Sequence, residues 1–231
     1  MSADDDKRAV GRAAARLVED GMTVGLGTGS TAAHMVRALG VRAEEEGLRL
    51  KTVATSAATA ELARVCRLPL LELDEAGGID LTLDGADEIG PGLALIKGGG
   101  AALLREKLVW EASHRCVAIA DGSKVVERLG GFPLPVEVVA FGHGVTARRL
   151  AQAARAAGVE VEPALRLRDG APVLTDGGNV LYDLACGAIA EPKALAQALK
   201  AVTGVVEHGL FLGLCACALV SDAGQVRELR P

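Results

Sequence analysis

Apolar and polar positions change their spacing in a regular way along the chain. Residues 9–18 repeat apolar positions at helical intervals, and a short apolar run follows at 22–27. A loop of glycine, serine and threonine then leads into a helix reaching about residue 39. The same signals predict a strand at 49–55, a helix at 57–66 and short strands at 70–73 and 79–83. A strand at 93–96 ends in a glycine triplet, a helix covers 101–113, and a strand at 116–120 closes this half. Strands alternating with helices predict a mostly parallel sheet covered on both faces, where ligands bind beyond the carboxyl ends of the strands.

The punctuation changes at Gly130, Gly131, Phe132, Pro133, Leu134 and Pro135. Beyond it the pattern predicts a strand at 136–140, a helix at 145–157 and a strand at 159–165. A hairpin partner follows at 172–184, then a helix at 193–201 and a strand near 205–211. That βαββαβ order is the split-βαβ pattern. The expected architecture is α/β: a Rossmann-like, mostly parallel sheet domain over 1–130, completed by 205–231. A ferredoxin-like α+β lid domain over 131–204 is inserted into it.

Composition narrows the picture. Half of the 231 residues are hydrophobic but only 2% are aromatic, so aliphatic side chains must fill the core. The formal charge of −5 argues against nucleic acid, whose binding needs a basic surface. Arg148, Arg149, Arg155, Arg166 and Arg168 are the candidates for a local basic patch, and a solvated face accounts for them. Five cysteines with no C-x-x-C pair predict reduced, intracellular thiols. Cys215 and Cys217 are spaced to share one face of a strand and read as small buried hydrophobes. The four histidines stand far apart, so no metal site is expected. Residues 1–7 are acidic and the longest apolar stretch, 209–220, is short and broken by glycine. Neither predicts a signal peptide or a membrane span, and the cytoplasm is the expected compartment.

Candidate chemistry sits at the expected strand ends. Gly25 to Ala32 reads GLGTGSTA, directly after a strand and opening a helix. Glycines let an anion approach the backbone, and amides and hydroxyls at a helix start donate to it. A dinucleotide fingerprint fits loosely, but the next strand ends in Ala54-Thr55-Ser56 rather than in the acid that would hold a ribose. The hydroxyls of Thr28, Ser30 and Thr31 suit a single phosphate; a tight turn is the plainer reading. Asp84-Gly85-Ala86-Asp87-Glu88 ends another strand and reads either as catalytic or as a solvated acidic turn. Lys97 with Gly98, Gly99 and Gly100 offers a cation and amides to a developing oxyanion.

In the following helix Glu106 falls among Ala102, Leu103, Val109 and Trp110, whereas Lys107, Glu111 and His114 mark the water-facing side. A carboxylate in an apolar stripe loses hydration and becomes a better base. A buried ion pair or a helix-edge glutamate is the alternative, and Arg105 shares the apolar arc. Lys124, in Asp121-Gly122-Ser123-Lys124, ends one more strand.

Taken together these segments resemble ribose-5-phosphate isomerases of the A type. GLGTGSTA, DGADEI, IKGGGAALLREK, ADGSK, FPLPVEV and GVVEHGLF occur in that family's order from residue 25 to residue 211. Each is weak alone; the ordered set is specific. The resemblance implies that Thr28, Gly29, Ser30 and Thr31 hold substrate at the phosphate loop. It implies that Asp84, Gly85, Ala86 and Asp87, with Lys97 to Gly100, line the reacting end of a sugar. Glu106 matches the family's proton-abstracting glutamate, Lys124 a substrate-contacting lysine, and Lys7 a lysine near the phosphate. No cofactor and no metal are implied, the substrate is a small phosphosugar, and the assembly is a homodimer or homotetramer. Gly177, in Thr175-Asp176-Gly177-Gly178-Asn179, stands where the family more often has a larger polar residue.

Three rivals remain at this level: an isomerase of another pentose or hexose phosphate, a sugar-phosphate sensor domain, and a nicotinamide-dependent oxidoreductase. The sensor would leave Glu106 dispensable, and the oxidoreductase lacks its ribose-binding acid.

Overall fold

In the computed structural model, which describes residues 2–231, a six-stranded sheet organises the first unit of the chain. Its strands run in the order Gln225–Leu229, Cys217–Asp222, Cys116–Asp121, Leu81–Gly85, Thr23–Leu26, Lys51–Ala54. Every neighbouring pair is parallel except the edge pair formed by Gln225–Leu229. Thr23–Leu26 and Cys116–Asp121 are buried at every position, as strands covered on both faces must be. Val24, Leu26, Leu39, Leu81, Leu83, Val117 and Ile119 belong to the core of this unit. The predicted mostly parallel α/β sheet is therefore present.

The helices are α1 (Ala3–Ala15), α2 (Ser30–Glu46), α3 (Ala57–Val65), α4 (Leu103–Glu111), α5 (His143–Ala156) and α6 (Pro192–Lys200). Helix α1 starts earlier than apolar periodicity predicts because Ser2 and Asp5 form a reciprocal capping box. It packs closely on α2 at Gly11, where a Cβ would lie 2.8 Å from the Met35 amide nitrogen.

The first unit comprises the residues up to Ala86, Arg105–Val125 and Gly213–Pro231; the second comprises Asp87–Leu104 and Val126–Leu212. Residues 87–104, which the sequence pattern attaches to the first domain, cluster with the second unit. The reason is pairing: Leu95–Ile96 lies between Glu88–Ile89 and Leu210–Phe211 in a three-stranded antiparallel sheet. The second unit also holds a four-stranded sheet in the order Val205–His208, Leu134–Val138, Val180–Leu184, Ala164–Leu165. Val136, Val138, Leu150, Tyr182, Leu184 and Leu195 belong to its core.

Several predicted strands shorten or vanish. Residues 70–73 make only one bridge, Thr52 to Leu70, before Leu73–Glu75 turns into a 3₁₀ helix. The strand expected at 93–96 is Leu95–Ile96, because Pro91–Leu93 is a turn with positive φ at Gly92 and Leu93. The strand expected at 159–165 is reduced to Ala164–Leu165, after Pro163, which cannot donate to a ladder. The run at 205–211 splits at Gly209 into strands of two different sheets, Val205–His208 and Leu210–Phe211.

Candidate active site

Parallel strands deliver their loops to one edge, and in the first unit the ends of three strands, Thr23–Leu26, Leu81–Gly85 and Cys116–Asp121, carry candidate residues. The loop after Thr23–Leu26 contains Thr28 and Gly29, and Gly29 is the N-cap of α2. Gly29 has φ +110° and supplies no side-chain cap, and no acid occupies the first turn of α2. The first amides of a helix lack internal partners, so this uncapped end is suited to an anion. Ser30 is exposed while Thr31 is buried. The Thr28 hydroxyl faces Thr55 Oγ1 at 2.7 Å, Ser56 Oγ at 2.8 Å and Thr59 Oγ1 at 3.2 Å. Sequence reasoning missed that hydroxyl cluster. The sequence pattern there shows only a strand end, Ala54-Thr55-Ser56, without an acid.

Asp84, at the end of Leu81–Gly85, has no exposed surface. Its Oδ1 accepts from the backbone amides of Thr28 at 2.9 Å and Gly85 at 2.7 Å. Its Oδ2 accepts from the Trp110 indole N–H at 3.2 Å. Trp110 lies one turn after Glu106 in α4, so the same helix that carries Glu106 anchors Asp84. Glu106 is 3% exposed and sits in the first turn of α4, the end of a helix that favours negative charge. Lys124 is half-buried in the turn Gly122–Lys124 after Cys116–Asp121. Lys7 is half-buried on α1 rather than on a strand end.

The second unit carries Asp87, Lys97 and the three glycines. The Asp87 amide donates to Ile96 O at 2.8 Å, which ties it to the strand leading to Lys97. Its carboxylate accepts from the Gly99 amide at 2.8 Å. A Cβ on Gly99 would lie 2.6 Å from Asp87 Oδ1, so a larger residue there would push that carboxylate aside. Lys97 is 1% exposed and its Nζ stands 5.4 Å from the centroid of the Phe211 ring, a cation–π arrangement. Gly98 is buried, whereas Gly99 and Gly100 are exposed.

A family model described as ribose 5-phosphate isomerase A (phosphoriboisomerase A) matches residues 51–225. The chain belongs to the ribose-5-phosphate isomerase A family. A ribose-5-phosphate isomerase A from Caulobacter sp. (strain K31) is 62% identical over 228 residues, covering 98% of this chain and 99% of that protein. One from Parvibaculum lavamentivorans is 50% identical, covering 97% of each. Among solved structures, ribose 5-phosphate isomerase A from Methanocaldococcus jannaschii gives a TM-score of 0.92 at 38% identity, covering both chains completely. The Plasmodium falciparum ribose 5-phosphate isomerase gives 0.93 at 33% identity, covering 99% of each chain.

Two expectations from the sequence pattern differ from the structure of this ribose-5-phosphate isomerase A family member. Lys107, taken as water-facing, is 7% exposed, while Leu108 is 47% exposed. Arg166, taken as part of a solvated basic face, has a side chain only 15% exposed and pairs with Asp183. The basic groove of the first unit lies elsewhere: a space of about 500 Å³ on α1 and α2, lined among others by Arg8, Arg12, Arg16 and Arg37. That groove contains none of the candidate site residues. Cys215 and Cys217 are buried, with the Cys215 thiol on Cys217 O at 3.1 Å. Among the described residues no group of three or more His, Cys, Asp or Glu side chains is placed to hold a metal, and no helix is long and apolar enough to cross a membrane.

Proposed function

We propose that the chain interconverts D-ribose 5-phosphate and D-ribulose 5-phosphate through an enediolate, with Glu106 as the base. The observation that carries this reading is a glutamate 3% exposed at the start of α4, in a chain of this family. The uncapped start of α2, with Ser30 and Thr31, receives the phosphate, and Lys7 and Lys124 add positive charge. Phosphate binding serves to position carbons that lie several bonds away.

Ring opening falls to Asp87, which is half-exposed, whereas Asp84 is fully buried and held by three donors. In the open aldose the Glu106 carboxylate takes the proton from C2, and the electron pair moves into the C1 carbonyl. Glu106 then returns its proton to C1, and the hydroxyl proton passes from O2 to O1. One base serves both carbons because they are adjacent. Negative charge on oxygen in the enediolate is met by Lys97 and by the amides of the Gly98–Gly100 loop. A preorganised oxyanion donor contributes about 10²–10³-fold in rate, and a positioned base about 10²–10⁴-fold.

The test is isomerisation of ribose 5-phosphate by metal-stripped protein, wild type against Glu106→Gln. The variant is expected to lose about 10³-fold in kcat with KM changed only a few-fold. A wild type that binds the sugar phosphate but does not turn it over defeats the reading in favour of a sensor or another substrate. Self-association as a homodimer or homotetramer accompanies this reading. It is supported by Phe141, 94% exposed beside the exposed Val139 and Val145 on the second unit; light scattering on purified protein decides it.

A further inference from the structure

We infer that Arg166 is a positioning residue for the reaction, acting through the peptide planes of the Gly98–Gly100 loop. This inference rests on the proposed role of that loop and names the group that orients it. Every atom involved lies in the second unit.

The Arg166 side chain divides its donors between two tasks. Its Nε donates to Asp183 Oδ2 at 2.8 Å, and its Nη2 donates to Asp183 Oδ1, forming a bidentate pair. Its Nη1 donates to two successive backbone carbonyls, Gly98 O at 2.9 Å and Gly99 O at 3.2 Å. The backbone of Arg166 is fixed on both sides: its amide donates to Leu181 O at 2.8 Å and its carbonyl accepts from Val173 at 2.9 Å. Asp183 belongs to the strand Val180–Leu184, which pairs along its length with Leu134–Val138. The guanidinium is therefore held by the sheet before it touches the loop.

The consequence follows from the planarity of the peptide bond. All peptide bonds of the described chain are trans, so each N–H points opposite to the carbonyl of the preceding residue. With Gly98 O turned to Arg166, the Gly99 N–H is turned away from it, and it donates to Asp87 Oδ2 at 2.8 Å. With Gly99 O also turned to Arg166, the Gly100 N–H is aimed away from the guanidinium in its turn. Together with the Ala101 amide, which also donates to Gly98 O at 3.0 Å, the guanidinium thus aligns two consecutive amides, one on the proposed ring-opening carboxylate and one available to the developing oxyanion. Glycine loops left to themselves sample many orientations, and donors accelerate a reaction only when they are held ready. A full positive charge on the two carbonyls also polarises both peptide groups and strengthens their N–H donors.

Arg166→Met removes the fork and keeps most of the stem. We expect kcat for ribose 5-phosphate to fall about 10–100-fold, less than loss of a whole oxyanion donor, with KM held within about threefold. A phosphorylated four-carbon aldonic acid, whose carboxylate mimics the enediolate charge, should lose affinity in step with kcat. Asp183→Asn, which loosens the fork, should move both quantities the same way by a smaller factor. Arg166→Lys can reach only part of the carbonyl pair and should fall between wild type and Arg166→Met. A folded Arg166→Met, judged by circular dichroism and Tm, that keeps kcat within twofold overturns the proposal. A rise in KM alone does so too, because it marks a binding role. Should Arg166→Met not fold, Arg166→Lys and Asp183→Asn decide by the same two readouts. Wild type is assayed alongside: its failure to turn over ribose 5-phosphate removes the functional reading and this inference with it, whereas an active wild type with unaltered variants removes this inference alone.

Discussion

Asp84 and Gly27 form a pair in which the smallest side chain makes room for a buried carboxyl group. A Cβ at position 27 would lie 2.1 Å from Asp84 Oδ1 and 2.4 Å from its Cα, and the second of these cannot swing aside. Overpacking of this kind costs about 1–3 kcal/mol and occasionally more. Gly27→Ala is therefore expected to lose about 3 kcal/mol in urea unfolding. A loss under 1 kcal/mol would show that the Asp84 backbone is not fixed. At this scale the sequence was legible where one residue's neighbours in the helix define its surroundings. Glu106 shares α4 with Leu103, Val109 and Trp110, all buried, and is itself buried. Helical spacing does not reveal the burial of Lys107, because it depends on neighbours from outside α4. The aromatics were equally silent. The chain has only five, yet Trp110 holds Asp84 and Phe211 lies beneath Lys97.

The N-terminus of α2 shows an element whose function opposes its own stability. It lacks a side-chain cap and a first-turn acid, two features that ordinarily stabilise a helix. Ser30→Glu supplies the missing charge. It should raise stability by about 0.5 kcal/mol while raising KM for ribose 5-phosphate at least about tenfold, through repulsion of the phosphate. Thermal melts and steady-state kinetics on one preparation check both signs; an unchanged KM would place the phosphate elsewhere. The glycine and hydroxyl pattern made this loop legible, because the local chain itself builds the helix start. The strands expected at 70–73 and 93–96 were not legible in the same way. Strand existence depends on a partner, and Leu95–Ile96 finds its partners at Glu88–Ile89 and Leu210–Phe211, the latter more than a hundred residues away.

Over the whole molecule, acidity is managed by surface pairs. Asp20 is exposed, and its carboxyl is held down to about 2, first by the Arg49 side chain and then by the Arg49 amide at 2.7 Å. A depressed pKa means that the pair's contribution is present above the ordinary carboxylate value and fades as pH falls towards 2. The difference in urea midpoint between wild type and Asp20→Asn should accordingly be constant from pH 7 to about 5 and shrink below about 4. A difference that grew on acidification would reverse this account. Asp6 is held low as well, first by the Gly224 amide at 2.7 Å and then by the Ser221 hydroxyl at 2.8 Å. That carboxylate joins α1 to the hairpin of Cys217–Asp222 and Gln225–Leu229, and the hairpin forms one border of the six-stranded sheet. The order of synthesis then matters. Once residue 212 has left the ribosome, residues 87–104 and 126–212 have all their sheet partners, whereas Cys116–Asp121 still waits for Cys217–Asp222 to cover its open side. A nascent chain halted near residue 212 would therefore display an unpaired, fully buried-type strand to the cell, a target for chaperones and a seed for aggregation.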